Sequence, residues 1–506
     1  MRDGVDGAHE SAGGKALTRE TGMRRALLFA FCLALTGAGA AQEGFPLFTT
    51  DFPPEEFASR RAGVYDAIGK DAVAILQGAP TAAGYTRFRQ SNDFYYLSGI
   101  EVANAYLLLD GASRKATLYL PHRNDGRERG EGKVLSAEDA EEVMKLSGVD
   151  AVSGTDLLAE HLARVLQRRA PLTIYTPLFP AEGFAESRDL ALRRVADLAS
   201  DPFDGSASRA GNLARLLKER FPNLTIADLS PALDKLRLTK SPREIAMIRR
   251  ATRLSGLALI EGMRSTKPGQ YERELDGLGK FIYYRNGAQG DAYYSLIASG
   301  RNAWYPHYNA GKRKMEDGDF LLMDYAPDYG YYMSDVTRMW PVNGKFSQWQ
   351  RELYDFYLAC YRAILKAIRP GALPSAIMQE AARQMERALA AAKFSKDIYR
   401  KAAEAFVKDY RAGAGRPDAA LGHWVGMATH DDGPHAGALK PGMVFTIEPA
   451  LRVPEEKIYV RLEDVIVIGE KSAEIVSDFV PSDPEAIEKL MKEPGLLKTY
   501  PPADLK

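Results

Sequence analysis

The spacing of apolar positions changes character along the chain. Between about residue 48 and residue 233, helical stripes alternate with short apolar runs. Residues 55–68 carry apolar side chains at the three-and-four spacing of one helix face. Residues 72–76, 105–109 and 116–120 are nearly unbroken apolar runs bounded by glycine, the pattern of strands buried on both faces. The alternation predicts a small α/β domain over residues 42–235. A new regime opens at Ser241-Pro242-Arg243-Glu244. Serine before proline, with glutamate three positions after the serine, is a helix start: the serine caps, the proline suits the first turn, and the glutamate reaches back. From 236 to 482 the pattern predicts long helices and then hairpins rich in tyrosine and valine. A trailing helix and a proline-rich tail occupy 483–506.

Two hairpins carry acidic residues where apolar ones are expected. The first runs from Phe320 through Pro327-Asp328-Tyr329-Gly330 to Arg338. A turn centred on Tyr329-Gly330 sets Asp324 opposite Asp335. The second runs from Met443 through Pro454-Glu455-Glu456-Lys457 to Val467. Centred on Glu455-Glu456, it sets Glu448 opposite Glu463, with Pro449 pointing to a bulge. Directly opposed side chains lie roughly 5 Å apart, and like charges there repel. One such pair reads as a solvated strand face. Two pairs inside apolar ladders call for an offsetting cation, and four carboxylates can hold more than one divalent ion. Of the seven histidines, His307, His423, His430 and His435 fall near these hairpins in segments rich in glycine and aromatic residues.

A length of 506 residues implies two or three domains. With 45% hydrophobic and 26% charged residues the composition is that of a globular protein. Zero net charge argues against a nucleic-acid or anionic-membrane partner. The start is organised differently. Arg24-Arg25 precede an apolar stretch, 26–36, and Ala38-Gly39-Ala40 follows as an A-x-A site. That order predicts a signal peptide over 1–41, cleavage after Ala40 or Ala41, and a periplasmic or extracellular protein. The stretch is too short for a stable membrane anchor. The polar lead-in before Met23 points to Met23 as the translation start. Cys32 would leave with the signal, so Cys360 would stand alone and no internal disulfide is expected.

The chain resembles the aminopeptidase P family, the proline-specific relatives of prolidase and methionine aminopeptidase with the pita-bread fold. Ser334-Asp335-Val-Thr-Arg-Met-Trp-Pro-Val-Asn-Gly344 closes a block like the family's Asp-x10-Asp signature. Gly422-His423-Trp424-Val425-Gly426 with Thr429-His430-Asp431 is similar to its histidine segment. Pro441 to Pro449 and Val460 to Asp464 are similar to its two glutamate blocks. Arg89-Gln90-Ser-Asn-Asp93-Phe94-Tyr-Tyr96-Leu97-Ser-Gly99 resembles a motif of the family's N-terminal domain. The resemblance implies an α/β N-terminal domain followed by an α+β pita-bread metallopeptidase domain. It implies a homo-oligomer and peptides with proline in the second position as substrates.

It also implies roles. Asp335 and Glu463 would bridge two metals, Asp324 would bind one, and His423 with Glu448 the other. His307 would bind substrate, His430 the peptide and the transition state, and Arg461 would orient the carboxylates. Four carboxylates and one imidazole form an oxygen-rich site that favours Mn²⁺, with Co²⁺, Fe²⁺ or Zn²⁺ as alternatives. A water shared by the two ions would attack the carbonyl before proline, and Glu448 would carry its proton to the leaving nitrogen. The chain departs from the family pattern at Ala326 and Ala450, where glycine is usual, and at Arg452, where tyrosine is usual. No arginine lies between Asp431 and Pro441, where prolidases carry one to grip a dipeptide carboxylate. A prolidase and a non-catalytic peptide-binding protein of the same fold stay open as alternatives.

Overall fold

The computed structural model describes residues 48–503 except Ala170 and Ala436, so the expected signal peptide lies outside the described residues. The three anticipated apolar runs are strands of one six-stranded sheet. Its order is Ala151–Gly154, Lys115–Leu120, Tyr106–Asp110, Ala72–Gln77, Thr173–Thr176, Thr225–Asp228. The middle three strands run antiparallel, and the remaining three join parallel to their neighbours. Val73, Ile75, Leu108, Ile174 and Leu224 form a core with Leu162 and Leu217 from covering helices. On the other side, helix Pro54–Ile68 buries Phe57, Val64 and Ile68, as its spacing predicts. The expected boundary after residue 235 falls inside helix Ser230–Leu238. Buried Leu233, Arg237 and Leu238 tie that helix together, so the chain breaks only at Thr239.

Helix Pro242–Ser265 begins at Ser241 with the anticipated reciprocal cap. With Glu272–Arg285 it leads into a three-stranded sheet, ordered Thr337–Pro341, Phe320–Asp324, Leu296–Ser299. Helices Gln348–Ala367, Pro374–Ala391 and Asp397–Gly413 then lead into strands Val444–Ile447, Ala450–Val453, Ile458–Arg461 and Asp464–Ile468. Each half thus delivers one acidic hairpin. No described helix is long and apolar enough to cross a membrane. Cys360 is buried and free, and burial pushes its thiol up to about 12, which leaves it unreactive.

The registers of the hairpins decide which carboxylates meet. In the second, Ile447 pairs with Asp464 and Ala450 with Arg461, one continuous register in which Glu448 is opposite Glu463, as expected. The ladder opens at Pro449, which has no N–H to give. The Tyr357 hydroxyl fills the gap, donating to the Pro449 carbonyl at 2.6 Å and accepting from Leu462 N–H at 2.9 Å. In the first hairpin the turn differs from the expected one. Tyr329 bridges Tyr332, so Gly330 and Tyr331 are the central residues, and Asp324 pairs with Thr337 rather than Asp335. Both central residues have positive φ, 56° and 71°, as a type I′ turn demands. Tyr331 is held there by stacking on Tyr95, centroids 3.6 Å apart, and by its hydroxyl, which accepts from Gln90 N–H and donates to Glu101. The shift is two residues, so Asp335 stays on the face of Asp324 and meets it diagonally.

The Arg89–Gly99 motif binds the two domains together. Arg89 donates to Asp328 beside the turn and to Asn92, and Asn92 donates to the Met427 carbonyl in the histidine segment. Buried Arg237 joins Asp93 (2.9 Å) and Glu182 (2.8 Å) to Asp431, which also takes Lys240 at 3.0 Å. Removing the cation would strand buried carboxylates. Arg237→Ala is expected to cost about 3–5 kcal/mol, measured by thermal or urea unfolding. A loss below about 0.5 kcal/mol, the scale of ordinary surface changes, would show that the network does not need it.

Candidate metal centre

Glycine fixes the approach of the histidine segment to the second hairpin. A Cβ on Gly422 would sit 2.0 Å from the Thr446 carbonyl oxygen, and one on Gly426 would sit 2.1 Å from the Asp431 carboxylate. His423 O accepts from Thr446 N–H at 2.9 Å, which carries the imidazole over the strand that ends at Glu448. His423 Nδ1 donates to the Trp424 carbonyl at 3.1 Å, leaving Nε2 as the free nitrogen. Around Nε2 stand Glu448 Oε1 at 3.3 Å, Asp335 Oδ2 at 3.5 Å and Glu463 Oε1 at 3.7 Å. These separations are long for hydrogen bonds and suit ligands gathered about a common point.

Asp324, Asp335 and Glu463 are 2%, 5% and 1% exposed, too buried for water to solvate three charges. Arg461 ties the cluster from below. One guanidinium nitrogen donates to Glu448 at 2.7 Å and the other to Asp324 and to Thr337 Oγ1. Thr337 in turn donates to Glu463 at 2.8 Å. The five expected ligand residues and Arg461 therefore converge. His307 and His430 line the same cleft with Tyr293, while His435 stacks on Trp424 away from it. Sequence reasoning missed Tyr293, whose hydroxyl lies 2.5 Å from Asp324 and 2.6 Å from Asp335. It also missed Thr337, and Asp189 of the N-terminal domain, which bonds His430. Nothing in the spacing sets these three apart from their neighbours.

Three features of the cluster fit divalent cations. Oxygens of Asp324, Asp335 and Glu463 lie within 4.8 Å of one another. Glu463 Oε1 is buried with no hydrogen-bond partner. The single proton of Tyr293 cannot serve two carboxylates at once. The departures from the family pattern leave the cluster intact. Ala326 packs with Ala292, Leu296 and Met333, and Arg452 lies over the rings of Tyr459 and Trp304.

Comparison with known proteins agrees with this geometry. Residues 246–470 match metallopeptidase family M24, and residues 57–175 match the aminopeptidase P N-terminal domain. The Xaa-Pro aminopeptidase of Escherichia coli is 30% identical over 86% of this chain and 97% of its own length. The chain belongs to the aminopeptidase P family. Its architecture is that family's: the N-terminal domain followed by the pita-bread domain, a metallopeptidase fold. Proline aminopeptidase P II from Yersinia pestis superposes with a TM-score of 0.69 at 29% identity, covering 87% of this chain and all of that one. Zinc-substituted E. coli aminopeptidase P in complex with product gives 0.69 at 30% identity, covering 87% and 98%.

Without metal, the cluster holds protons. Burial raises Asp324 to about 6, against the pull of Arg461 and with a push from Glu463. Burial, Asp335 and Glu448 raise Glu463 to about 7. Burial would lower His423, but the surrounding carboxylates hold it well above its ordinary value. All three shifts make the folded, metal-free protein bind more protons than the unfolded chain. The stability these three groups contribute therefore falls as pH rises from about 4 toward and beyond 7. Metal binding must expel these protons. Calorimetric titration with Mn²⁺ in two buffers of different ionisation enthalpy should show proton release near pH 7 and tighter binding at higher pH. Affinity independent of pH, with no release, would contradict the assignment.

Proposed function

We infer that the protein is a metal-dependent exopeptidase that hydrolyses the bond between an N-terminal residue and a following proline. What supports this is the convergence of two aspartates, a histidine and two glutamates at the base of one cleft, in a chain that covers 97% of the Escherichia coli Xaa-Pro aminopeptidase. Asp335 and Glu463, each grouped with Asp324 on one side and with His423 on the other, would hold the ions together with Asp324, His423 and Glu448. Asp324 would stand at one end of this set, and His423 with Glu448 at the other. The oxygen-rich donors favour Mn²⁺. Bound there, divalent cations lower the pKa of water to near neutrality and polarise a carbonyl.

The chain's own groups do the rest. The cleft holds about 170 Å³ and opens to solvent, so a peptide can enter it by its end. His307 and His430 hydrogen-bond the peptide from its walls. Partial desolvation and then the charge of Arg461 hold His307 below its ordinary pKa, keeping it neutral. Burial works to raise Glu448, but the His423 bond and Arg461 outweigh it and bring it down to about 2. With the ions bound, the charge of Arg461 would still favour the carboxylate form of Glu448, and Glu448 would take a proton and pass it to the proline nitrogen. Arg461 holds Asp324 and Glu448 in place. As in the hydrolysis of any amide, the leaving nitrogen must gain a proton to depart as an amine, and Glu448 would deliver the one taken from the attacking water.

The test is hydrolysis of Xaa-Pro-Yaa, Xaa-Pro and Xaa-Ala-Yaa peptides by metal-loaded protein. Release of Xaa from Xaa-Pro-Yaa, abolished by chelation and by Asp335→Ala, is expected. Cleavage confined to Xaa-Pro would make it a dipeptidase, and no cleavage with two ions bound would make it a binding protein. We also propose export with cleavage after Ala40 or Ala41, on the Arg-Arg, apolar, A-x-A order. N-terminal sequencing of the native protein checks this, and a retained residue before Phe31 would refute it.

A further inference from the structure

Three consecutive residues of the N-terminal domain hold the segment that carries His430. Ser187 Oγ accepts from His430 N–H at 3.2 Å. Arg188 Nε meets Asp432 at 3.0 Å, while its other two nitrogens grip Asp234 at 2.9 and 2.7 Å. Asp189 Oδ2 lies 3.2 Å from His430 Nδ1. An acid in the first turn of a helix ordinarily just faces the helix dipole. Here its place is fixed by neighbours that are themselves bonded to the catalytic domain, and Leu190 and Arg193 of the same helix line the substrate cleft.

We propose that Asp189 is a positioning residue for His430, accepting its Nδ1–H and so presenting Nε2 to the cleft as a hydrogen-bond acceptor. The inference rests on the placement of His430 in the substrate cleft given above. A ring nitrogen of His430 lies within 4.8 Å of ligand atoms of Asp335 and His423, and the two imidazole centroids are 4.4 Å apart. Its reach therefore extends to the reacting end of the peptide. The carboxylate decides what the ring can do there, because the nitrogen that carries the proton is set by the partner of the other. A neutral ring held this way cannot donate to a carbonyl oxygen. It accepts from a donor, and beside a bond to proline the donors at hand are the substrate's α-ammonium and the attacking water. The N-terminal domain thereby supplies part of the catalytic arrangement.

The test uses the full mature chain. In protein with ¹⁵N-labelled histidine, loaded with diamagnetic Zn²⁺, the His430 signal, assigned by its loss in His430→Ala, should report protonated Nδ1 and bare Nε2. Asp189→Ala should shift that signal toward a tautomer mixture. In the active metal form, Asp189→Ala should lower kcat about ten- to hundredfold, the usual range for a group behind a working histidine. KM, metal content and melting temperature should stay near the parent values. Because the two residues act as one unit, Asp189→Ala should change nothing further in a His430→Ala background. A protonated Nε2 in the parent overturns the proposal. So does an unaltered kcat in Asp189→Ala, or losses that multiply in the double variant. Should the parent fail to cleave Xaa-Pro-Yaa, the functional reading falls, and the histidine spectrum still decides the Asp189–His430 arrangement.

Discussion

Carboxylates brought together away from water cannot all keep their charge. Asp324, Asp335 and Glu463 are brought together by two hairpins with apolar ladders on either side, and Arg461 offers one positive charge among them. The residual repulsion leaves two ways out, protons or added cations. That choice governs the pKa pattern of the cluster, the free oxygen of Glu463 and the doubly approached hydroxyl of Tyr293. A fold that holds such a cluster in register is committed to binding something positive.

The scaffold that maintains the cluster reaches beyond the domain that contains it. The tip of the first hairpin is set by Tyr331, a side chain whose partners Gln90, Tyr95 and Glu101 belong to the N-terminal domain. The histidine segment is likewise bonded through Asn92 to Met427 and through Arg237 to Asp431. Rigid placement of catalytic groups needs such outer support. The motif around Arg89 reads as a signature because it is the contact surface on which the first acidic hairpin and the histidine segment rest.

The architecture and the four candidate carboxylates were legible because each left a local pattern, whereas His423 was set apart from the other histidines by the family resemblance. Apolar runs marked the strands at 72–76 and 105–109, the Ser241–Glu244 cap marked a helix start, and the Glu455-Glu456 turn gave the true pairing of Glu448 with Glu463. The first turn misled by one residue, because a tyrosine at positive φ is costly by local rules and is tolerated only through tertiary contacts. Tyr293, Thr337 and Asp189 act through neighbours distant in sequence, and a tyrosine among tyrosines or an acid in a helix's first turn carries no mark of that. The helix across the expected boundary runs on to Leu238, and Arg237 within it serves the domain interface through Asp93 and Glu182, partners distant in sequence.

The second hairpin shows what evolution can and cannot edit here. Its ladder runs from Ile447 to Val453 and back from Ile458 to Asp464 in one register, closed by Pro454-Glu455-Glu456-Lys457. Successive strand residues point to opposite faces. Inserting or deleting a single residue within one strand, between either glutamate and the turn, would turn that glutamate out of the cluster, however conservative its chemistry. Balanced changes on both strands, or lengthening confined to the turn, would keep the two glutamates facing. Side chains along this hairpin are free to drift, as Ala450 and Arg452 illustrate, whereas the number of residues along each strand is held by geometry.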